Sequence, residues 1–128
     1  MGIHQDKAMK ILSSVLLDLK TKYEEFNFDF RIIKVHGGSF QETDLPDVMV
    51  LTNHGNFWFE LKKDATDRLT KLQAYNIEDF RNFSFLTGII YSDGTLVERE
   101  GQVWYTLSTY LEFKLKQSIE KNLFFNGD

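Results

Sequence analysis

The chain has 128 residues, 42% of them hydrophobic and twelve of them Phe, which suits one domain with one buried core and not a disordered segment. Its formal charge of −4 argues against a protein that coats nucleic acid nonspecifically, yet leaves room for an enzyme that touches it through a local patch. Without cysteine there is no disulfide framework or thiolate metal site, no apolar run approaches a membrane span, and the first residues lack a secretory-leader pattern; the expected setting is a cytoplasm, with no membrane partner.

In chain order, residues 5–25 read as a helix. Ala8, Ile11, Leu12, Val15, Leu16 and Leu19 recur at helical spacing, with Lys7, Lys10, Asp18, Lys20 and Lys22 opposite. Asn27 and Asp29 suit a turn, and Phe30, Ile32, Ile33 and Val35 a strand. A loop through His36-Gly37-Gly38-Ser39 closes at Pro46, the only proline. Asp47 to Thr52 and Phe57 to Lys62 read as the two strands of a hairpin around Asn53-His54-Gly55-Asn56. The second is apolar on both faces, as a central strand would be, so the charges at its end need a reason.

Thr70-Lys71-Leu72-Gln73 has the form of a capping box, opening a helix to about Asn82 with Leu72, Asn76 or Ile77, Phe80 and Phe83 on its buried side. Phe85 to Tyr91 is a strand, parallel to Phe57–Lys62 because a crossover helix joins them. Thr95–Val97 and Val103–Thr106 form a last hairpin. Leu107 to Asn122 is an amphipathic helix on Leu111, Leu115, Ile119 and Leu123. The apolar tail at Phe124-Phe125 suits either a homodimer contact or docking on the chain's own core. The predicted order is α-β-β-β-α-β with a C-terminal addition: one α/β domain over 1–128, a core at about 5–92, and a mixed sheet flanked by helices.

The hairpin carries chemistry. Asp47 begins one strand and Glu60 ends the other, so both carboxylates reach the same edge of the sheet. Two such groups, with the Leu61 carbonyl as a third donor, make a hard-cation site suited to Mg²⁺ or Mn²⁺. Lys62 shares a strand face with Glu60 and can activate a water or neutralise charge on a phosphate. Read singly, the same residues have plainer roles. Asp47 is a strand-entry residue, and Glu60 and Lys62 are a solvated strand end with a weak ion pair. His36, beside the glycines, either meets a phosphate or is a loop residue, and His54 reads as a turn residue. Lys62, Lys63, Arg68 and Lys71 form a basic segment interrupted by Asp64 and Asp67, with Arg31 and Lys34 as additions; it can hold a phosphate backbone without reading sequence.

Arg31-Ile-Ile-Lys-Val-His-Gly-Gly-Ser39, then Leu45-Pro46-Asp47, then Glu60-Leu61-Lys62 resembles the PD-(D/E)xK nuclease superfamily. Arg68-Leu69-Thr70 and a helix opening at Gln73 make it most similar to the VRR-NUC family and, more distantly, to archaeal Holliday-junction resolvases. The resemblance spans about residues 30–92. It implies a restriction-endonuclease-like αβββαβ core and a metal-dependent nuclease acting on DNA, branched structures included. Asp47 and Glu60 would bind metal, Lys62 would assist the attacking water, and Gln73 would complete the site. His36, Ser39, Lys63, Arg68 and Lys71 would face nucleic acid, and a homodimer would cut both strands. These families usually add a Glu from the first helix. Here only Asp6, Asp18, Glu24 and Glu25 are offered, so one of them substitutes, the site works with two carboxylates, or activity is reduced or absent. The last alternative is a nuclease-fold module of a phage or mobile element that binds DNA or a host protein without catalysis.

Overall fold

The computed structural model describes residues 2–35, 45–102 and 105–125, with side chains to residue 121. Helix α1 (Ile3–Lys22) leads through a 3-10 turn (Glu24–Phe26) into β1 (Phe30–Lys34), β2 (Val48–Thr52) and β3 (Gly55–Lys62). After α2 (Lys71–Phe80) come β4 (Leu86–Tyr91), β5 (Thr95–Val97), β6 (Tyr105–Thr106) and α3 (Leu107–Phe125). The six strands form one sheet in the order β1-β2-β3-β4-β5-β6. Neighbours are antiparallel except β3 and β4, whose crossover helix α2 makes them parallel. The α/β class and element order match the sequence reading, and β3 lies inside the sheet as its two apolar faces require.

The two faces are covered unequally. Val48, Val50, Phe57, Phe59, Leu61, Leu86, Ile90 and Leu96 point to one side. There they meet Ala8, Leu12, Leu16 and Leu19 of α1 and the i, i+4 stripe Leu107, Leu111, Leu115 and Ile119 of α3. Phe57 and Phe59 are 1% and 0% exposed, and burying each contributes roughly 1.5–3 kcal/mol. A smaller cluster of Ile77, Ile89, Tyr91 and Val97 lies under α2. Because α2 packs on β3 and β4, the same face of β1 and β2 is left partly open. Two expectations for α2 are therefore corrected. Leu72 and Phe83 are 43% and 69% exposed, while Asn76 and Ile77 are buried.

The turn between β2 and β3 is tighter than the sequence suggests. Thr52 pairs with Gly55, leaving Asn53-His54 as a two-residue loop. Gly55 has φ +139°, and a Cβ there would lie 3.1 Å from the Phe85 Cβ. The Thr52 hydroxyl donates to the Gly55 carbonyl at 2.6 Å and accepts from the His54 N–H at 3.0 Å. His54 Nε2 lies 3.0 Å from the Phe26 carbonyl, so this histidine ties the hairpin to the 3-10 turn, a structural role as expected.

Candidate active site

The tight turn fixes the register, and the register assembles the site. Val48 stands opposite Phe59. Asp47 follows next toward the end of the strand, just beyond the last paired residues. Side chains alternate, so Val48, Phe59 and Leu61 face the main core while Asp47, Met49, Trp58, Glu60 and Lys62 share the α2 side. Asp47 then closes the strand end. Its Oδ2 accepts the Leu61 N–H at 2.9 Å, in the place where a ladder carbonyl would otherwise sit. A strand residue points its N–H and C=O to the same side, so the Leu61 carbonyl is also directed toward the β2 side.

Glu60 is 3% exposed. Burial of a carboxylate demands compensation, and part of it comes from Gln73 Nε2, which donates to Glu60 Oε1 at 3.3 Å. Gln73 is itself held by the capping box. Its Oε1 accepts the Thr70 N–H at 2.9 Å, and its own N–H donates to Thr70 Oγ1 at 3.0 Å. The amide oxygen caps α2 while the amide nitrogen meets the Glu60 carboxylate.

Lys62 shares the face of Glu60, as i, i+2 spacing requires, and its side chain is 13% exposed. Its ammonium lies 3.5 Å from Asp67 Oδ1, and Asp67 Oδ2 accepts the Lys63 N–H at 3.4 Å. The loop after β3 therefore folds back on its lysine. Asp64 stiffens that loop by accepting the Thr66 N–H and hydroxyl, bonds that hold its carboxyl below the usual range. Beside Lys62 in the parallel register stands Tyr91, whose phenol is raised by burial first and then by the charge of Glu100. The sequence singled out neither Asp67 as a partner of Lys62 nor Tyr91. The i, i+5 spacing of Lys62 and Asp67 was the available sign for the first, and the β3–β4 register for the second.

The basic segment is less free than its sequence suggests. Lys63 and Lys71 are exposed, but the Arg68 guanidinium is bonded to Glu100 at 3.0 Å, and the same carboxylate caps the Leu69 N–H at 3.0 Å. Arg31 pairs with Leu51 on the Asp47 side of the sheet, whereas Lys34 pairs with Val48 on the opposite side. Only the first of these two can join a surface around Asp47. His36 and Ser39 lie outside the described residues.

The acids offered by the N-terminal helix separate by position. Glu24 and Glu25 fall in the 3-10 turn, next to the Phe26 carbonyl that meets His54 at the hairpin tip. Glu60 is the sixth residue of β3, about 20 Å of extended strand from that tip. Asp6 and Asp18 are exposed on α1, which packs on the face opposite to Glu60. Among the described residues no group of three His, Cys, Asp or Glu side chains gathers. What the structure joins is the Asp47 carboxylate to the Leu61 N–H, with Glu60 the preceding residue on β3. The Asp47 and Glu60 carboxylates with the Leu61 carbonyl would offer a hard, oxygen-only set of the kind taken by Mg²⁺ or Mn²⁺, ions that keep several waters and use one or two carboxylates.

No protein-family model matches the sequence, and no characterised protein is significantly similar to it. Among the described residues no helix is long and apolar enough to cross a membrane.

Proposed function

We propose that this chain is a divalent-metal-dependent endonuclease of the PD-(D/E)xK type, with a restriction-endonuclease-like core, that hydrolyses DNA phosphodiester bonds, with branched or Holliday-junction DNA among its candidate substrates. The observation that carries the reading is the Asp47 bond to the Leu61 N–H, which draws the Pro46-Asp47 and Glu60-Leu61-Lys62 motifs to one point. Asp47, Glu60 and the Leu61 carbonyl would hold Mg²⁺ or Mn²⁺, which when bound supplies Lewis-acid polarisation and lowers the pKa of a water. Gln73 orients the Glu60 carboxylate through its amide. Lys62 places a cation on the same face, where it orients the attacking water or offsets charge on the phosphate once its contact to Asp67 yields to substrate. Lys63, Lys71 and Arg31 give the phosphate backbone cationic contacts without reading bases. A homodimer would bring two sites to two strands, and exposed Tyr75 and Phe83, 66% and 69% accessible, are apolar surface available for such a contact.

A second reading, a nuclease-fold module that binds DNA or a host protein without cutting, is favoured by the Lys62–Asp67 ion pair, which occupies the candidate catalytic ammonium. Calorimetric titration with Mn²⁺ separates the two. The enzyme gives a saturable heat in the wild type that is lost in Asp47→Asn. A flat titration of the wild type leaves only the module.

A further inference from the structure

β1 ends the sheet and pairs on one side only, with β2. The Val35 N–H donates to the Asp47 carbonyl at 2.8 Å, in step with the β1–β2 register. Backbone groups alternate along an antiparallel pair, so Arg31 and Ile33 also turn theirs toward β2, while Phe30, Ile32 and Lys34 turn theirs outward. The Phe30 N–H is met by its neighbour, Asp29 Oδ1, at 2.8 Å. Among the described residues no hydrogen bond reaches the outward N–H groups of Ile32 and Lys34. Such an edge is a template for a further strand, and Phe30, Ile32 and Ile33 give it apolar side chains. On the α1 side the edge borders a groove. Met9, Lys10, Ser13 and Leu17 of α1 line it with Ile32 and Lys34. Past Leu17, which is 58% exposed, it continues to Lys20, Glu24, Phe28 and Asp29.

Charge is unevenly placed along this groove. Lys10 and Lys34 stand at one end, where no carboxylate is among the lining residues. Glu24 and Asp29 stand at the other, with Lys20 3.1 Å from Asp29. A strand laid antiparallel to β1 must therefore bring an acid to the Lys34 end, an apolar side chain to Ile32 and a base to the Asp29 end. β1 itself, reversed, is such a strand. A two-fold axis through Ile32 sets this residue opposite its own copy, Lys34 opposite Phe30 and next to Asp29 of the second copy, and Arg31 opposite Ile33. A lysine on an edge normally repels further strands; here the acidic end of the second copy offsets it. We propose that two copies of this chain pair edge to edge through β1, joining their sheets into one. The two Asp47 residues, each bonded to Val35 near the end of β1, then lie on one face of the joined sheet, about 25 Å apart by strand spacing and rise. That last consequence bears on DNA only through the nuclease reading; the interface itself does not depend on it.

Sedimentation velocity over a range of protein concentrations, in EDTA and without DNA, tests the interface apart from any cleavage. A reversible monomer–dimer equilibrium is expected, weak because the edge is short and weaker still at high salt. Lys34→Glu and Asp29→Lys, both at exposed positions, should each weaken the dimer about fivefold or more, and the double variant should restore it, since exchanging the two charges keeps the match. Tyr75→Ser with Phe83→Ser, which alters the other exposed apolar surface, should leave the dimer intact. Hydrogen exchange supplies the second readout. The Ile32 and Lys34 amides should gain protection as concentration rises, because each acquires a bond in the dimer. The proposal is overturned if the chain stays monomeric at every concentration, if a dimer forms without protecting these two amides, or if both single charge variants dimerise as tightly as the wild type.

Discussion

Replacing Asp47 separates what the carboxylate does for the fold from what it does for chemistry. Leu61 is fully buried, and its N–H is received by Asp47 Oδ2 at 2.9 Å. Asp47→Ala removes the acceptor and leaves a buried donor unmatched, a loss of about 1–3 kcal/mol. In a domain of this length that lowers the melting temperature by roughly 4 °C per kcal/mol. Asp47→Asn keeps an oxygen in the same place and loses only the charge assistance, so it costs less than about 1 kcal/mol. Both substitutions remove the anionic ligand that the proposed metal would use. Urea unfolding in EDTA should therefore rank wild type, Asn, Ala in falling stability, and the Leu61 amide should lose hydrogen-exchange protection in Ala alone. An Ala variant within about 0.5 kcal/mol of wild type, with Leu61 still protected, would show that the carboxylate does not hold this strand end.

Three other outcomes follow from single contacts. Gln73→Ala removes the capping acceptor and the Glu60 donor together and should cost about 1 kcal/mol or more, whereas Gln73→Glu retains a good capping residue but sets a second carboxylate against Glu60; an unchanged Mn²⁺ affinity in Gln73→Glu would dissociate Gln73 from the acid. Gly88→Ala places a Cβ 2.8 Å from the Val97 carbonyl and 2.9 Å from Leu96 Cδ1, so β4 and β5 must part; a loss of about 1–3 kcal/mol is expected in denaturant unfolding, and a neutral effect would contradict that packing. The Tyr23 phenol is pushed up to about 12 by burial and by its bond to Glu112, so above pH 10 the unfolded chain gives up a proton that the folded one keeps. Stability should then fall as pH rises from 10 to 12, with Tyr110, raised by burial and by Glu98, acting in the same direction; Tyr23→Phe should flatten the slope, and an equally steep decline would remove Tyr23 from its cause.

The hairpin was legible because its information is local. A two-residue turn sets the register of β2 and β3, and alternation then decides that Asp47, Glu60 and Lys62 share a face. The parallel pairing of β3 and β4 was legible from the helix between them. Helical periodicity named Leu72 and Phe83 as buried and failed: it does not show how much sheet lies beneath a stripe, and α2 covers only β3 and β4, while the helix ends at Phe80, before Phe83. Arg68 read as a free cation because its partner Glu100 is 32 residues away, in a connection whose path no local pattern fixes. Gln73 read as either cap or site residue because a sequence does not show that one amide has two ends, each with its own partner.

The central claim is that the Asp47–Glu60 centre cuts DNA, and a cleavage panel tests it most directly. Single-stranded, duplex, flap and four-way-junction DNA are incubated with the wild type, Asp47→Asn and Glu60→Gln in Mg²⁺, in Mn²⁺ and in EDTA. The account predicts products from the wild type on at least one substrate with either metal, and none in EDTA or from either folded variant. No cleavage of any substrate by the wild type, or cleavage that persists at the wild-type rate in both variants, would contradict it.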